Sequence, residues 1–327
     1  MYYQLNWDIN FKNEKGDWKL GILAECEIEK STKNLADFAT IILPEVHYNK
    51  VLNIQEAIKR GDGVTIQLGY DDNLVTEFEG YIKEIVTNDS SLKIKCEDGL
   101  FLFRKGVPNK VFKPTNVKQL AQYLINSIDK SYKLVCDYNI SYEKFTIYKA
   151  TGLDVLAKIQ EETGADIFFN MKNKELHIHP AYTQKTGEAF YSMQHNIETS
   201  SLEYKTAEDR KVEVTIESVG TDGKTVNYTT GTTGGEKITK KVGRMKKSAI
   251  KIIADNEYKN KMTPGYEGSF DAWLIPYVEP GYTIGIDDRD YPYKDDNYYC
   301  ESVLTKFSES GGVRTITPSI KLSNGQV

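Results

Sequence analysis

The chain has 327 residues with 42 Lys and Arg against 47 Asp and Glu, a formal net charge of −5, and 39% of its residues are hydrophobic. That balance excludes a disordered polar chain and a broad basic face for gripping a phosphate backbone, so specific nucleic-acid binding is not expected. With 24 Gly and 9 Pro, too few for a collagen-like or low-complexity chain, the length suggests about two to three globular domains.

The N-terminus, Met1 to Trp7, has neither a basic nor an apolar signal region, and no apolar run approaches the ~18 residues of a membrane span. The expectation is a protein made in the cytoplasm with no membrane segment. From Trp18 to Ile94 the dominant period is two, in Leu20/Ile22/Ala24, Ala39/Ile41/Leu43, Val64/Ile66/Leu68, Phe78/Gly80/Ile82 and Leu92/Ile94/Cys96. Turn chemistry breaks these strands at Pro44, Gly61-Asp62-Gly63, Asp71-Asp72-Asn73 and Asn88-Asp89-Ser90. Residues 1–106 therefore read as a small β-barrel domain.

The period changes after Pro114. Val117, Leu120, Ala121, Leu124, Ile125 and Ile128 fall on one face of a helix capped by Thr115 or Asn116. A second helix opens at Thr151 or Gly152, buries Leu153, Leu156, Ala157 and Ile159, and ends at Thr163-Gly164. Two strands follow, Ala165 to Asn170 and Glu175 to His179, and the first helix is expected to pack on this pair. Residues 107–200 thus form an α+β insert.

Strand periodicity returns at Val212, Val214 and Ile216, with a hairpin turn at Thr221-Asp222-Gly223-Lys224 and a polar loop from Gly231 to Gly235. A weaker helix covers about Lys247 to Tyr258, before strands around Ser269 to Trp273, Thr283 to Ile286, Tyr298 to Lys306 and Arg314 to Ile320. Residues 201–327 read as a second barrel with its own short helix. The fold class expected is mainly β, with two related small β-barrel domains flanking a helix-containing middle domain.

A weak internal repeat links the two β regions. Gly61-Asp62-Gly63-Val64-Thr65-Ile66 and Gly281-Tyr282-Thr283-Ile284-Gly285-Ile286 share Gly-x-x-[Val/Ile]-x-Ile. Each opens a strand after a turn, runs into an Asp-rich hairpin, and continues to a strand that begins with an aromatic, Phe78 in one case and Tyr299 in the other. Gly61, Val64, Ile66, Phe78, Gly281, Ile284, Ile286 and Tyr299 are accordingly the structural and interface candidates.

Chemical motifs are weak by comparison. Cys26, Cys96, Cys136 and Cys300 are widely spaced, with no Cys-x-x-Cys pair, and read as reduced, mostly buried thiols. His177 and His179 share a strand face but lack a third ligand, so a solvated face is the better reading, and His47 and His195 are isolated. Gly231 to Lys237 lacks the spacing of a phosphate loop, and Asp287-Asp288-Arg289-Asp290 lacks the glycine and distal Glu of a calcium loop. No nucleophile elbow, zinc helix or dinucleotide fingerprint occurs, so no catalytic residue, metal or cofactor is expected.

The closing run, Val278-Glu279-Pro280-Gly281-Tyr282-Thr283-Ile284-Gly285-Ile286, then Tyr298 to Ser308, then Gly311-Gly312-Val313-Arg314-Thr315, resembles the last barrel of the phage late control protein D family. That family includes baseplate hubs of contractile tails and the N-terminal part of type VI secretion spikes. Ile28 to Leu43, Gly61 to Ile66 and Phe78 to Ile82 are similar to its opening strands, and Leu153 to His179 to its helix and hairpin. Thr305-Lys306 departs from it by lacking a frequent His, and no spike or lysozyme extension is expected after Val327. The resemblance implies a structural hub: a homotrimer whose two similar barrels per chain present six surfaces to a tail tube protein, with a threefold spike protein on the other face. A tail-associated carbohydrate-binding or cell-wall-degrading protein is the alternative.

Overall fold

The computed structural model describes residues 4–44, 57–87, 91–220 and 223–322. His47, the turn Asn88-Asp89-Ser90 and the first half of the turn at 221–224 lie outside the described residues.

Seven strands come first: β1 (Leu5–Asn13), β2 (Gly16–Lys19), β3 (Glu25–Ser31), β4 (Phe38–Leu43), β5 (Gly63–Tyr70), β6 (Asn73–Thr87) and β7 (Leu92–Glu97). After a one-turn helix, α1 (Leu100–Phe103), the middle of the chain alternates β8 (Lys110–Phe112), β9 (Thr115–Asn116), α2 (Val117–Ile128), β10 (Lys133–Cys136), β11 (Ser141–Ile147), α3 (Gly152–Thr163), β12 (Ala165–Asn170) and β13 (Glu175–Pro180). The chain then runs through β14 (Glu188–Ser192), β15 (Thr199–Ser200), β16 (Glu203–Lys205), β17 (Val212–Val219), β18 (Thr225–Gly231), β19 (Glu236–Lys241), β20 (Arg244–Met245) and α4 (Lys247–Met262). It closes with β21 (Gly265–Glu267), β22 (Phe270–Trp273), β23 (Thr283–Asp287), β24 (Asp296–Ser308) and β25 (Gly311–Lys321). No described helix is long and apolar enough to cross a membrane.

The mainly β class with a helix-containing insert is what the structure has, but the two β regions are not separate closed barrels. One 15-stranded sheet runs β15-β22-β25-β24-β3-β4-β7-β6-β5-β1-β2, with β14 beside β23, and β16 beside β21. The reason is the length of β24. Its first residues pair with β23 (Thr283↔Tyr299), and its last seven, Ser302 to Ser308, pair antiparallel with β3. Hydrogen-bonding groups that would close each barrel on itself are used to join the two.

Strand order is nevertheless the same in both regions. In the first, β3-β4-β7-β6-β5-β1 are successive neighbours; in the second, β15-β22-β25-β24-β23-β14. Taken along the chain, β1, β3, β4, β5, β6 and β7 correspond in turn to β14, β15, β22, β23, β24 and β25. One direction differs, since β1 is antiparallel to β5 and β14 is parallel to β23.

The helices form as their local signals dictate. Asn116 caps α2 by accepting a bond from the Gln119 N–H, and Val117, Leu120, Ala121, Leu124 and Ile125 are buried while Ile128 sits at the rim. Thr151 and Asp154 form a reciprocal capping box on α3, and Gly164 ends it in the left-handed conformation at φ 68°. The expected packing is present, since the buried face of α2 shares one core cluster with Ile167, Phe169, Leu176 and Ile178 of the strand pair, and α3 adds Val155, Leu156 and Ile159 to it. The pair gains a third strand, β10, parallel to β13.

The middle core also draws in a segment assigned by sequence to the second β region. Val212, Val214, Ile216, Ile250 and Ile253 belong to the same buried cluster as Leu124, Ile159 and Ile178. Strands β17 to β19 form a small sheet of their own, order β18-β17-β19, against α4. Conversely β14 and β15, at residues 188–200, pair with β23 and β22. Periodicity fixes which face of an element is apolar, not which neighbour covers it.

Leu124 is fully buried in this cluster. Leu124→Asp should cost at least about 3 kcal/mol, because the carboxylate has no partner there. Loss of protease resistance in 100–262 and a lowered melting temperature would register it; unchanged melting would mean the face is open.

Candidate assembly interface

The residues singled out by sequence build the interior of the two β units rather than a surface. Val64, Ile66, Phe78, Ile284, Ile286 and Tyr299 are all buried, each at 3% exposure or less. Gly61 and Gly281 both take positive φ, 94° and 89°, which only glycine adopts without strain. Their bonding is the same. The Gly61 N–H donates to the Ile82 carbonyl and the Ile82 N–H to Asp62; the Gly281 N–H donates to Cys300 and the Cys300 N–H to Tyr282. Val64 stands opposite Gly80 as Ile284 stands opposite Tyr298, so the repeat holds at those four positions. The aromatics do not match. Phe78 faces Ile66 and corresponds to Asp296, while Tyr299 faces Thr283 and corresponds to Tyr81, which faces Gly63.

Beyond that point both long strands carry a bulge at the same place, between Ile82 and Glu84 in β6 and between Cys300 and Ser302 in β24. Past the bulge, β24 is covered by β3, with Val303 opposite Lys30, Leu304 opposite Glu29 and Thr305 opposite Ile28. Two side chains of the second unit, Leu274 and Phe307, complete the hydrophobic core of the first.

A buried ion pair locks this joint. Arg314 of β25 donates to a Glu77 carboxylate oxygen of β6, and the two side chains are 1% and 3% exposed. Its guanidinium also donates to the Leu274 carbonyl and, at 2.9 Å, to that of Pro276, and lies 5.0 Å from the centre of the Tyr277 ring. A guanidinium can satisfy three acceptors in one plane, whereas an ammonium cannot.

A second cluster ties the insert to both units. Lys33, between β3 and β4, lies 3.8 Å from Asp166 of β12 and 3.9 Å from Glu301 of β24. The Tyr182 N–H donates to Asp166 and its hydroxyl to Glu301, while the Tyr299 hydroxyl also donates to Asp166. Burial pushes the Asp166 carboxyl up to about 6, against the pull of Lys33. Lys33, Asp166, Tyr182 and Glu301 line a polar cavity of about 950 Å³ together with Arg210 and Glu267.

His177 and His179 are not on a solvated face. The His179 ring bonds Asp137 at 2.6 Å and His177 at 3.1 Å, and His177 bonds Glu175 at 3.2 Å. Burial holds His177 below the ordinary imidazole range. Phe168 stacks on His177 with ring centres 4.7 Å apart, so the pair is a structural relay along β13. In the Asp287 cluster, Asp288 is buried and accepts from the Asp290 and Tyr291 N–H groups, which makes it a turn brace. Among the described residues no group of three or more His, Cys, Asp and Glu could hold a metal ion.

No protein-family profile and no curated protein sequence matches the chain. Solved structures do. The 43 kDa tail protein of prophage MuSo2 from Shewanella oneidensis superposes at TM-score 0.64 with 13% identity, over 96% of this chain and 98% of that one. A tail protein from Neisseria meningitidis MC58 gives TM-score 0.65 at 14% identity, covering 96% of each chain. The chain has the fold of phage tail proteins. An E. coli component of the type VI secretion system, described as structurally similar to phage T4 tail proteins, gives 0.61 at 10% identity over 97% of this chain and 77% of that one. The tail-protein fold agrees with the resemblance carried by the closing strands, and it accounts for both β units and the insert together.

Two outcomes test this site. Arg314→Met should destabilise the fold by about 3–5 kcal/mol in denaturant titration, because it strands Glu77 as a buried charge, and adding Glu77→Leu should recover most of the loss. Equal stability of the single and double variants would show the pair is not the lock. For Asp166 the raised value means the folded state holds the proton more tightly than the unfolded chain. Its contribution is full below the ordinary carboxylate range and is lost as pH rises through about 6. Asp166→Asn should therefore gain stability relative to the parent between about pH 4 and about pH 7; parallel stability curves would contradict this.

Proposed function

We propose that the chain is a structural hub of a phage tail or phage-tail-like contractile device, acting as a homotrimer between a sixfold tail tube and a threefold spike. The observation that carries this is the repeated strand order, β3-β4-β7-β6-β5-β1 against β15-β22-β25-β24-β23-β14, within one chain. Three copies then offer six units of one architecture, which is the simplest way for a threefold body to meet a sixfold one. The tail-protein fold supports the same reading, and so does the type VI secretion component that shares it. In this role the protein has no catalytic step and takes no cofactor. Its partners are the tube and spike proteins, and its place is the assembled tail.

The test is the particle itself. Purified protein, alone and with a tail tube protein, should give rings with threefold symmetry and a pseudo-sixfold rim in electron micrographs. Monomers under both conditions, confirmed by sedimentation, would overturn the hub reading.

A further inference from the structure

The correspondence between the two units leaves two strand edges unmatched within the chain. In β24, the edge that carries β23 continues past the bulge and is covered by β3. The equivalent edge of β6 carries β5 as far as Tyr81 and is bonded to the 61–62 turn at Ile82; past the bulge, from Glu84 to Thr87, no described strand pairs with it. Glu84, Val86 and Thr87 are exposed there.

The complementary gap lies in the second unit. Cys26 pairs with Ile41, and Glu29 with Phe38, three residues along each strand. Ser200 pairs with Phe270, and Glu203 with Glu267, again three residues along each. The broken strand β15/β16 is therefore the counterpart of β3, with Ser200 in the place of Cys26 and Glu203 in the place of Glu29. β3 has β4 on one side and β24 on the other; β15/β16 has β22/β21 on one side and no described strand on the other. Glu198, Thr199, Ser200, Ser201 and Glu203 are exposed.

We infer that copies of this chain join by adding β16, with Leu202, of one copy to the open edge of β6 in the next, repeating between chains the joint that β3 and β24 make within one. The occupant is a second copy because the chain already contains this joint between equivalent units. The two edges are different surfaces, so each copy has one of each and the contact is head to tail. Such a contact builds a closed ring when its rotation closes, as the threefold hub requires, and an open filament when it does not. Open ladder groups on both edges supply the backbone bonds.

Register follows from the internal joint. Leu304 stands opposite Glu29 and Thr305 opposite Ile28. Transferred past the shared bulge, Ser302 corresponds to Glu84, so Leu304 corresponds to Val86 and Thr305 to Thr87. Val86 of one copy then stands opposite Glu203 of the next, and Thr87 opposite Leu202. This inference rests on the hub reading for its stoichiometry but not for its geometry.

The experiment is a disulfide trap in the full chain. Cys136, the one native cysteine that is not buried, is replaced by Ser, and Val86→Cys and Glu203→Cys are introduced together and singly. Directly opposed antiparallel residues lie about 4.5–5.5 Å apart, within reach of a disulfide. Oxidation with copper phenanthroline should give a ladder ending at three linked copies for the double variant and none for either single variant. In parallel, Val86→Glu should weaken self-association about tenfold in sedimentation by facing Glu203, and Glu203→Lys in the same chain should restore it. Threefold rings with no cross-link and no charge effect would overturn this joint while leaving the hub reading in place. A cross-linked ladder from protein that ignores the tube would do the reverse. Uncross-linked monomer at the highest soluble concentration would also overturn the joint.

Discussion

The architecture hangs on one strand that belongs to two units. β24 offers one edge to β25 along most of its length, while the other edge is divided between β23 and β3. A backbone edge must be paired or wetted, so a strand longer than its hairpin partner either exposes its overhang or recruits a neighbour. Here the overhang recruits the N-terminal unit. Arg314 on the adjacent strand then reaches the Glu77 carboxylate, and Leu274 and Phe307 enter the first unit's core. The Lys33, Asp166 and Glu301 cluster extends the same joint to the insert. Moving one unit against the other would break a ladder, a buried ion pair and a shared core at once.

Much of this was legible in the sequence because the relevant signals are local. Period-two runs located β4 to β7 and the closing strands, six apolar residues at helical spacing located α2, and Gly61 and Gly281 marked matching turns. β1 carries the same signal upstream of the Trp18–Ile94 run, with Ile9 and Phe11 in its inward phase and Leu5 and Trp7 packed beside them. The pairing of β24 with β3 was not legible, since alternation says which face of a strand is apolar and nothing about which strand lies alongside. The same gap put β17 to β19 and α4 with the wrong core.

The ion pair did leave a trace. Gly312, Arg314, Ile316, Pro318 and Ile320 are the buried phase of β25, so an arginine stands where an apolar residue is expected. A charged residue in an inward phase implies a buried partner. Glu77 was harder to see, because a bulge between Ile66 and Gln67 turns Glu77 and Phe78 inward together. His179 was misread for a related reason: Asp137, its partner, is 42 residues away in sequence. That identities of 10–14% accompany superposition over nearly the whole chain fits a fold set by alternation, turn glycines and bulges, which many side chains satisfy.

The reach of the β24 to β3 joint has a consequence for how the protein is made. Ser31 and Ser302 are partners across about 270 residues. At ordinary rates of translation, β3 waits roughly a quarter of a minute to a minute before its partner leaves the ribosome. During that interval the N-terminal unit lacks Leu274 and Phe307, and a row of unsatisfied backbone groups is open to any neighbouring nascent chain. On a polysome those neighbours carry the same incomplete edge. Until residues 302–308 emerge, the N-terminal unit keeps an open β3 edge and an incomplete core, so the end of the chain works as a protective cover for its beginning.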